Sequence, residues 1–161
     1  MKIKTPGRIC LFGEHQDYLG LPVIAMAISK FSSLSGVARN DAKVVIRKPD
    51  INNIEEFSLN DIKYDSKQDI FKSGFNICKK FGFKFSKGFD VTVRSDIPIK
   101  AGTSSSSSLL VSWIHFLIKN ADNSKKISKL NSFRVRFEAF QRVKCGHMRS
   151  LSASGGQIKF S

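Results

Sequence analysis

Residues 98–117, PIKAGTSSSSSLLVSWIHFL, pass from a proline and a glycine through five consecutive serines into an apolar run. A flexible serine linker would stay polar. Here Leu109, Leu110, Trp113, Ile114 and Leu117 recur at spacings of three and four. That spacing predicts a helix starting within the serines and running to about Lys119. Upstream, residues 88–98 alternate Phe89, Val91 and Val93 with Asp90, Thr92 and Arg94, the pattern of a half-buried strand. Strand, glycine turn and helix start, in that order, are what an anion site requires. The first backbone N–H groups of a helix lack intrahelical partners, and the helix dipole places partial positive charge there. Gly102 permits close backbone approach. Serine hydroxyls can donate to phosphate oxygens or offer hard oxygen ligands to Mg2+. The same serines also fit a plain helix cap with polar padding, so spacing alone leaves both readings open. There is no Gly-x-x-x-x-Gly-Lys-Ser/Thr loop and no Gly-x-Gly-x-x-Gly pattern.

Working outward, residues 8–13, 23–29, 31–39 and 42–49 read as strands, with a weak strand around 56–59. Residues 69–82 place Ile70, Phe71, Phe75, Ile77, Cys78 and Phe81 at helical spacing, ended by Gly82. Residues 127–144 are expected to be helical, and the last stretch, 145–161, has no clear period. The whole predicts an α+β domain with strands early and helices late.

With 161 residues, the chain is long enough for one domain with its own core. The net charge is +14, from 27 basic and 13 acidic residues, which invites a nucleic-acid reading. The basic residues are dispersed, however, and do not form blocks interleaved with aromatics. A small anionic ligand is the simpler partner. No apolar run approaches the roughly 20 residues that span a bilayer, and residues 1–10 lack the apolar core of a signal peptide. A cytoplasmic protein is therefore expected. Cys10, Cys78 and Cys145 are far apart and odd in number, so neither a disulfide framework nor structural zinc is expected.

A second cluster lies in residues 7–28, GRICLFGEHQDYLGLPVIAMAI, where a strand and a glycine precede Glu14, His15, Asp17 and Tyr18. Carboxylates at a strand end suit a polyhydroxylated ligand, and Arg8 could stabilise negative charge nearby. GRICLFGEHQDYLG closely resembles the galactokinase signature Gly-Arg-x-Asn-Leu-Ile-Gly-Glu-His-x-Asp-Tyr-x-Gly. DIPIKAGTSSSSSLL resembles Pro-x-x-x-Gly-Leu-Ser-Ser-Ser, the phosphate-loop motif of the wider GHMP kinases. The two occur in the family order, and the joint match is far more specific than either alone. The resemblance implies an α+β GHMP kinase N-terminal domain with a mixed sheet and helices, a fold related to one in ribosomal proteins. It implies that Glu14, His15, Asp17 and Tyr18 bind a sugar and that Arg8 sits beside the transferred phosphoryl group. Gly102, Ser104, Ser105, Ser106 and Ser107 would wrap the phosphates of ATP, with Ser105 and Glu138 as Mg2+ contacts. The implied reaction is ATP-dependent phosphorylation of a sugar hydroxyl. A non-catalytic sugar- or nucleotide-binding fragment, a mevalonate-kinase-like enzyme and a nucleic-acid binder are the alternatives.

The sequence departs from the family at four places. Cys10 stands for an asparagine, Lys100 for a glycine and Thr103 for a leucine. Arg149, in CGHMRS, stands where galactokinases carry an aspartate proposed as the base. An arginine cannot accept a proton at neutral pH. The resemblance also implies a second α+β domain, whereas the chain stops at Ser161. The expectation is an N-terminal domain over residues 1–144, a divergent tail over 145–161 and an absent C-terminal domain. This describes a truncated or frameshifted member, inactive alone.

Overall fold

The computed structural model describes residues 1–13, 19, 21–62, 69–98 and 103–124. Five strands and two helices follow one another as β1 (Lys2–Phe12), β2 (Ile24–Ala38), β3 (Lys43–Lys48), β4 (Asn53–Ser58), α1 (Ile70–Lys80), β5 (Phe89–Ser95) and α2 (Ser105–Asn120). The strands form one sheet in the order β1-β2-β5-β3-β4. β5 runs parallel to β3, and every other neighbouring pair is antiparallel. The sheet is therefore mixed and the class α+β. Helix α1 falls between β4 and β5, so strands and helices interleave more than a strands-first order suggests.

Both helices cover one face of the sheet. On β1, buried Ile3 and Thr5 alternate with exposed Lys2 and Lys4. Leu34 on β2, Val44 and Ile46 on β3, and Phe89, Val91 and Val93 on β5 point into the same layer. From α1 come Phe71, Phe75 and Cys78; from α2 come Leu110, Trp113, Ile114, Phe116 and Leu117. Period two on the strands and spacings of three and four on the helices bring these apolar groups together. The opposite face mixes charged and polar groups with Val37, Val45 and Ile54. There Asp90 accepts from both the Nε and Nη2 of Arg47, at 3.2 and 3.1 Å. Hydrogen bonding from Arg39 holds the exposed Asp41 carboxyl down to about 2.

Helix α1 has defined ends. Asp69 caps it, its Oδ1 accepting from the Lys72 N–H at 3.0 Å while Oδ2 lies 3.3 Å from the buried Lys72 ammonium. At the other end Gly82 adopts φ +84. The Gly82 N–H donates to the Lys79 carbonyl at 2.9 Å and the Phe83 N–H to Cys78 at 3.1 Å. That pairing of last-turn carbonyls is a Schellman termination, with Phe83 buried behind it.

Cys78 lies at the centre of this core, fully buried, and desolvation pushes its thiol up to about 12. Because the folded protein holds the proton more tightly than the unfolded chain does, this thiol stabilises the fold below pH 9. That contribution is lost as pH rises toward about 12. At pH 8 a thiol reagent should leave Cys78 unmodified in the native protein and label it once denaturant is added. Native-state labelling of Cys78 at the denatured rate would refute its burial.

Candidate active site at the first turn of α2

Two neighbours build the site: the middle of β1 and the start of α2. Strand β1 follows β2 in register from Lys2↔Ser35 to Pro6↔Phe31, shifts, and resumes at Arg8↔Ala27. Between those two pairs β1 advances two residues and β2 four, so β2 bulges opposite Gly7 and the local twist re-aims the ribbon. A Cβ on Gly7 would lie 3.1 Å from the Thr103 carbonyl and 3.1 Å from Ile97 Cδ1, so glycine allows β1 to approach the segment that precedes α2. The Arg8 N–H donates to the Thr103 carbonyl at 3.2 Å. The Arg8 guanidinium then donates from Nη2 to Ser104 Oγ at 2.7 Å. The glycine-arginine of one motif and the threonine-serine of the other are thereby joined across 96 residues of sequence.

Helix α2 starts in an unusual way. Ser104 at its N-cap has φ 57 and ψ 39, a left-handed conformation that serine seldom adopts. Its side chain does not cap the helix; the hydroxyl is held by Arg8 instead. The first-turn amides of Ser105, Ser106 and Ser107 thus receive no cap from it. No acidic side chain lies in that turn. A left-handed residue leading into helical backbone directs successive N–H groups toward one point, an anion-binding concavity. Helix dipole, converging amides, serine hydroxyls and one guanidinium together make a place for a polyanion.

The serine run divides by burial. Ser104, Ser105 and Ser107 are half-buried and Ser106 is exposed, whereas Ser108 is buried against the sheet. Thr103, in the family's leucine position, donates its hydroxyl to the Pro98 carbonyl at 3.2 Å and ties the two sides of the loop. Cys10 donates its thiol to the Phe12 carbonyl at 3.2 Å. The strand leaves the sheet at Gly13, where φ is +85 and a Cβ would sit 2.8 Å from the Pro22 carbonyl. Glu14, His15, Asp17 and Tyr18, and likewise Lys100, Gly102, Glu138, Arg149 and the expected helix over 127–144, lie outside the described residues. Sequence reasoning missed the buried hydroxyls of Thr5, Ser32 and Ser112. For Thr5 and Ser32 the signal was a hydroxyl residue in an inward strand position, beside Ile3 and Leu34.

Residues 3–32 match the galactokinase galactose-binding signature, and residues 69–156, more than half of the chain, match the GHMP kinases N terminal domain. The chain belongs to the GHMP kinase family. It is similar to the galactokinases of Clostridium tetani and Clostridium acetobutylicum, each 32% identical over 95% of this chain. Those alignments take in 40% and 41% of the two relatives, so the chain spans about two fifths of their length. Among solved structures, the Lactococcus lactis galactokinase complexed with galactose superposes with a TM-score of 0.74 at 25% identity, covering 91% of this chain and 39% of that one. The Methanococcus jannaschii mevalonate kinase gives 0.72 at 24% identity, over 89% of this chain and 47% of that one, a likeness of fold. The five-stranded mixed sheet with two helices is thus a GHMP kinase N-terminal domain. Among the described residues no helix is long and apolar enough to cross a membrane.

Proposed function

We propose that this chain carries the sugar and ATP-phosphate sites of a galactokinase-like kinase, which transfers a phosphoryl group from ATP to a sugar hydroxyl. The observation that carries this reading is the 2.7 Å hydrogen bond from Arg8 to Ser104, which links the sugar-signature strand to the helix start. In this reading the amides and hydroxyls of Ser104, Ser105, Ser106 and Ser107, with Gly102, hold the phosphates. Arg8 neutralises charge on the transferred group. Glu14, His15, Asp17 and Tyr18 grip the sugar. Such catalysis rests on positioning and charge neutralisation rather than covalent chemistry.

Mg2+ fits this donor set. The first turn of α2 offers hydroxyl oxygens and no carboxylate, so the cation would be held by phosphate oxygens, water and one carboxylate from elsewhere in the chain, in keeping with how Mg2+ usually binds. Ser105 and Glu138 are the residues we assign to it, and its role would be to neutralise charge on the phosphate oxygens. The unpaired state of Cys10 and Cys78 suits a reducing compartment, in keeping with a cytoplasmic kinase.

Calorimetry on the chain tests the reading. Galactose and a non-hydrolysable ATP analogue with Mg2+ should each give saturable binding heat. Silence with both ligands rejects the proposal. Steeply salt-dependent retention on nucleic acid in place of ligand binding would favour the charge-based alternative.

A further inference from the structure

We propose that Ser32 is a positioning residue for nucleotide binding: through a one-way chain of hydroxyl hydrogen bonds it fixes the first turn of α2 to the end of β5. This rests on the reading of that turn as a phosphate site. Ser32 lies on β2 and is 1% exposed. Its Oγ is 2.6 Å from Ser108 Oγ on α2 and 3.3 Å from Ser95 Oγ on β5. Ser108 Oγ also donates to the Ser105 carbonyl at 3.0 Å. Ser95 Oγ accepts from the Ile97 N–H at 3.2 Å.

A hydroxyl has one proton to give, and with the Ser108 proton on the Ser105 carbonyl the donors run one way. The Ser108 proton goes to the Ser105 carbonyl, so Ser32 must donate to Ser108. The Ser32 proton is then spent, so Ser95 donates to Ser32. Ser95 in turn receives the Ile97 N–H. Every member donates once and accepts once, an arrangement in which bonds polarise and strengthen one another. The chain begins just before the loop at Ile97 and finishes just after it at Ser105. The Ser105 carbonyl belongs to the same rigid peptide plane as the Ser106 N–H. Holding that carbonyl therefore fixes the aim of one of the amides offered to phosphate. The 3.3 Å step from Ser95 to Ser32 is the weakest link, being longer than an ordinary hydroxyl hydrogen bond.

The molecule contains its own control. Thr5 Oγ1 and Ser112 Oγ form an equally buried pair at 2.7 Å, one turn further along α2 and away from the loop. If the hydroxyls merely glue helix to sheet, the two pairs should behave alike.

Ser32→Ala, Ser108→Ala and Thr5→Val should each be measured for amide hydrogen exchange without ligand, and for affinity toward galactose and the ATP analogue with Mg2+. Alanine favours helix more than serine does, so Ser108→Ala does not weaken α2 intrinsically. In Ser32→Ala and Ser108→Ala, exchange at Ile97, whose N–H is held by Ser95 Oγ, should quicken and nucleotide affinity fall about tenfold, the effect of losing one buried hydrogen bond. Galactose affinity should hold, and Thr5→Val should leave both affinities at the wild-type value. Unchanged exchange at Ile97 in Ser32→Ala overturns the clamp whatever the nucleotide does. Equal nucleotide losses in Thr5→Val and Ser32→Ala overturn it too. Quickened exchange in a protein whose wild type binds galactose but no nucleotide refutes the phosphate reading, and the role of Ser32 falls with it.

Discussion

Trp113→Ala should lower the stability of the fold by about 3–5 kcal/mol, the usual range for emptying a buried tryptophan site. That is a large part of the roughly 5–15 kcal/mol that holds a domain together. The indole is fully buried. It lies edge-on to Phe71 at 5.4 Å and stacks on Phe116 at 5.7 Å, and its Nε1 donates to the Phe71 carbonyl at 2.9 Å. It thereby joins both helices. Gly74 makes room for it: a Cβ there would come within 2.7 Å of the indole Cδ1. Urea denaturation followed by far-UV circular dichroism measures the loss. Trp113→Phe, which keeps an aromatic ring but abandons the Phe71 carbonyl, should fall between wild type and alanine. A cost below about 1 kcal/mol for the alanine variant would contradict the indole's place in the core.

Arg8→Ala should weaken ATP-analogue binding by about 10- to 100-fold, as expected when one hydrogen-bonding partner of a charged group is removed. The substitution removes the donor to Ser104 Oγ but leaves the Arg8 N–H on the Thr103 carbonyl. The loop therefore keeps its backbone tether, and the loss reports the guanidinium. If Arg8 faces the transferred group, ADP should be affected much less than ATP. Arg8→Lys keeps the charge but not the planar fork, and should recover only part of the affinity. Equal affinity of wild type and Arg8→Ala for the ATP analogue would remove Arg8 from the site.

Where the hydrophobic period met a single buried face, the elements were legible in sequence. Residues 69–82 and the helix after the serines were read within a few positions of α1 and α2. The β1–β2 ribbon was harder. β2 was expected as two strands, 23–29 and 31–39, but is one strand, Ile24–Ala38. Its first half pairs only with β1, since β5 reaches it only from Ser32 to Ala38. Ile24 and Met26 are exposed there, and without a core behind them the alternation carries no signal. β1 starts at Lys2 rather than near residue 8. Pro6 and Gly7 look like strand breakers, but β1 is a sheet edge, where proline is tolerated, and Gly7 lies opposite the bulge in β2. The weak strand near 56–59 is β4, Asn53–Ser58, displaced toward the turn at Pro49–Ile51. In the site, the serine run and Arg8 were both read from motifs. The link between them was not, because it depends on a bulge and a left-handed serine that no residue pattern announces.

The place of β5 also bears on how the chain is made. Among the described residues it is the last strand in sequence, yet it lies between β2 and β3 and is the only one pairing with both hairpins. As the chain leaves the ribosome, the β1–β2 and β3–β4 hairpins emerge first and have no hydrogen-bonded edge in common. Each must wait with an open flank until residues 89–95 arrive. Isolated two-stranded hairpins are marginal in water, and long-range pairings of this kind fold slowly and expose sticky edges meanwhile. The helix start that holds Ser104 to Arg8 is translated directly after that strand. The site therefore takes shape in the same step that closes the sheet.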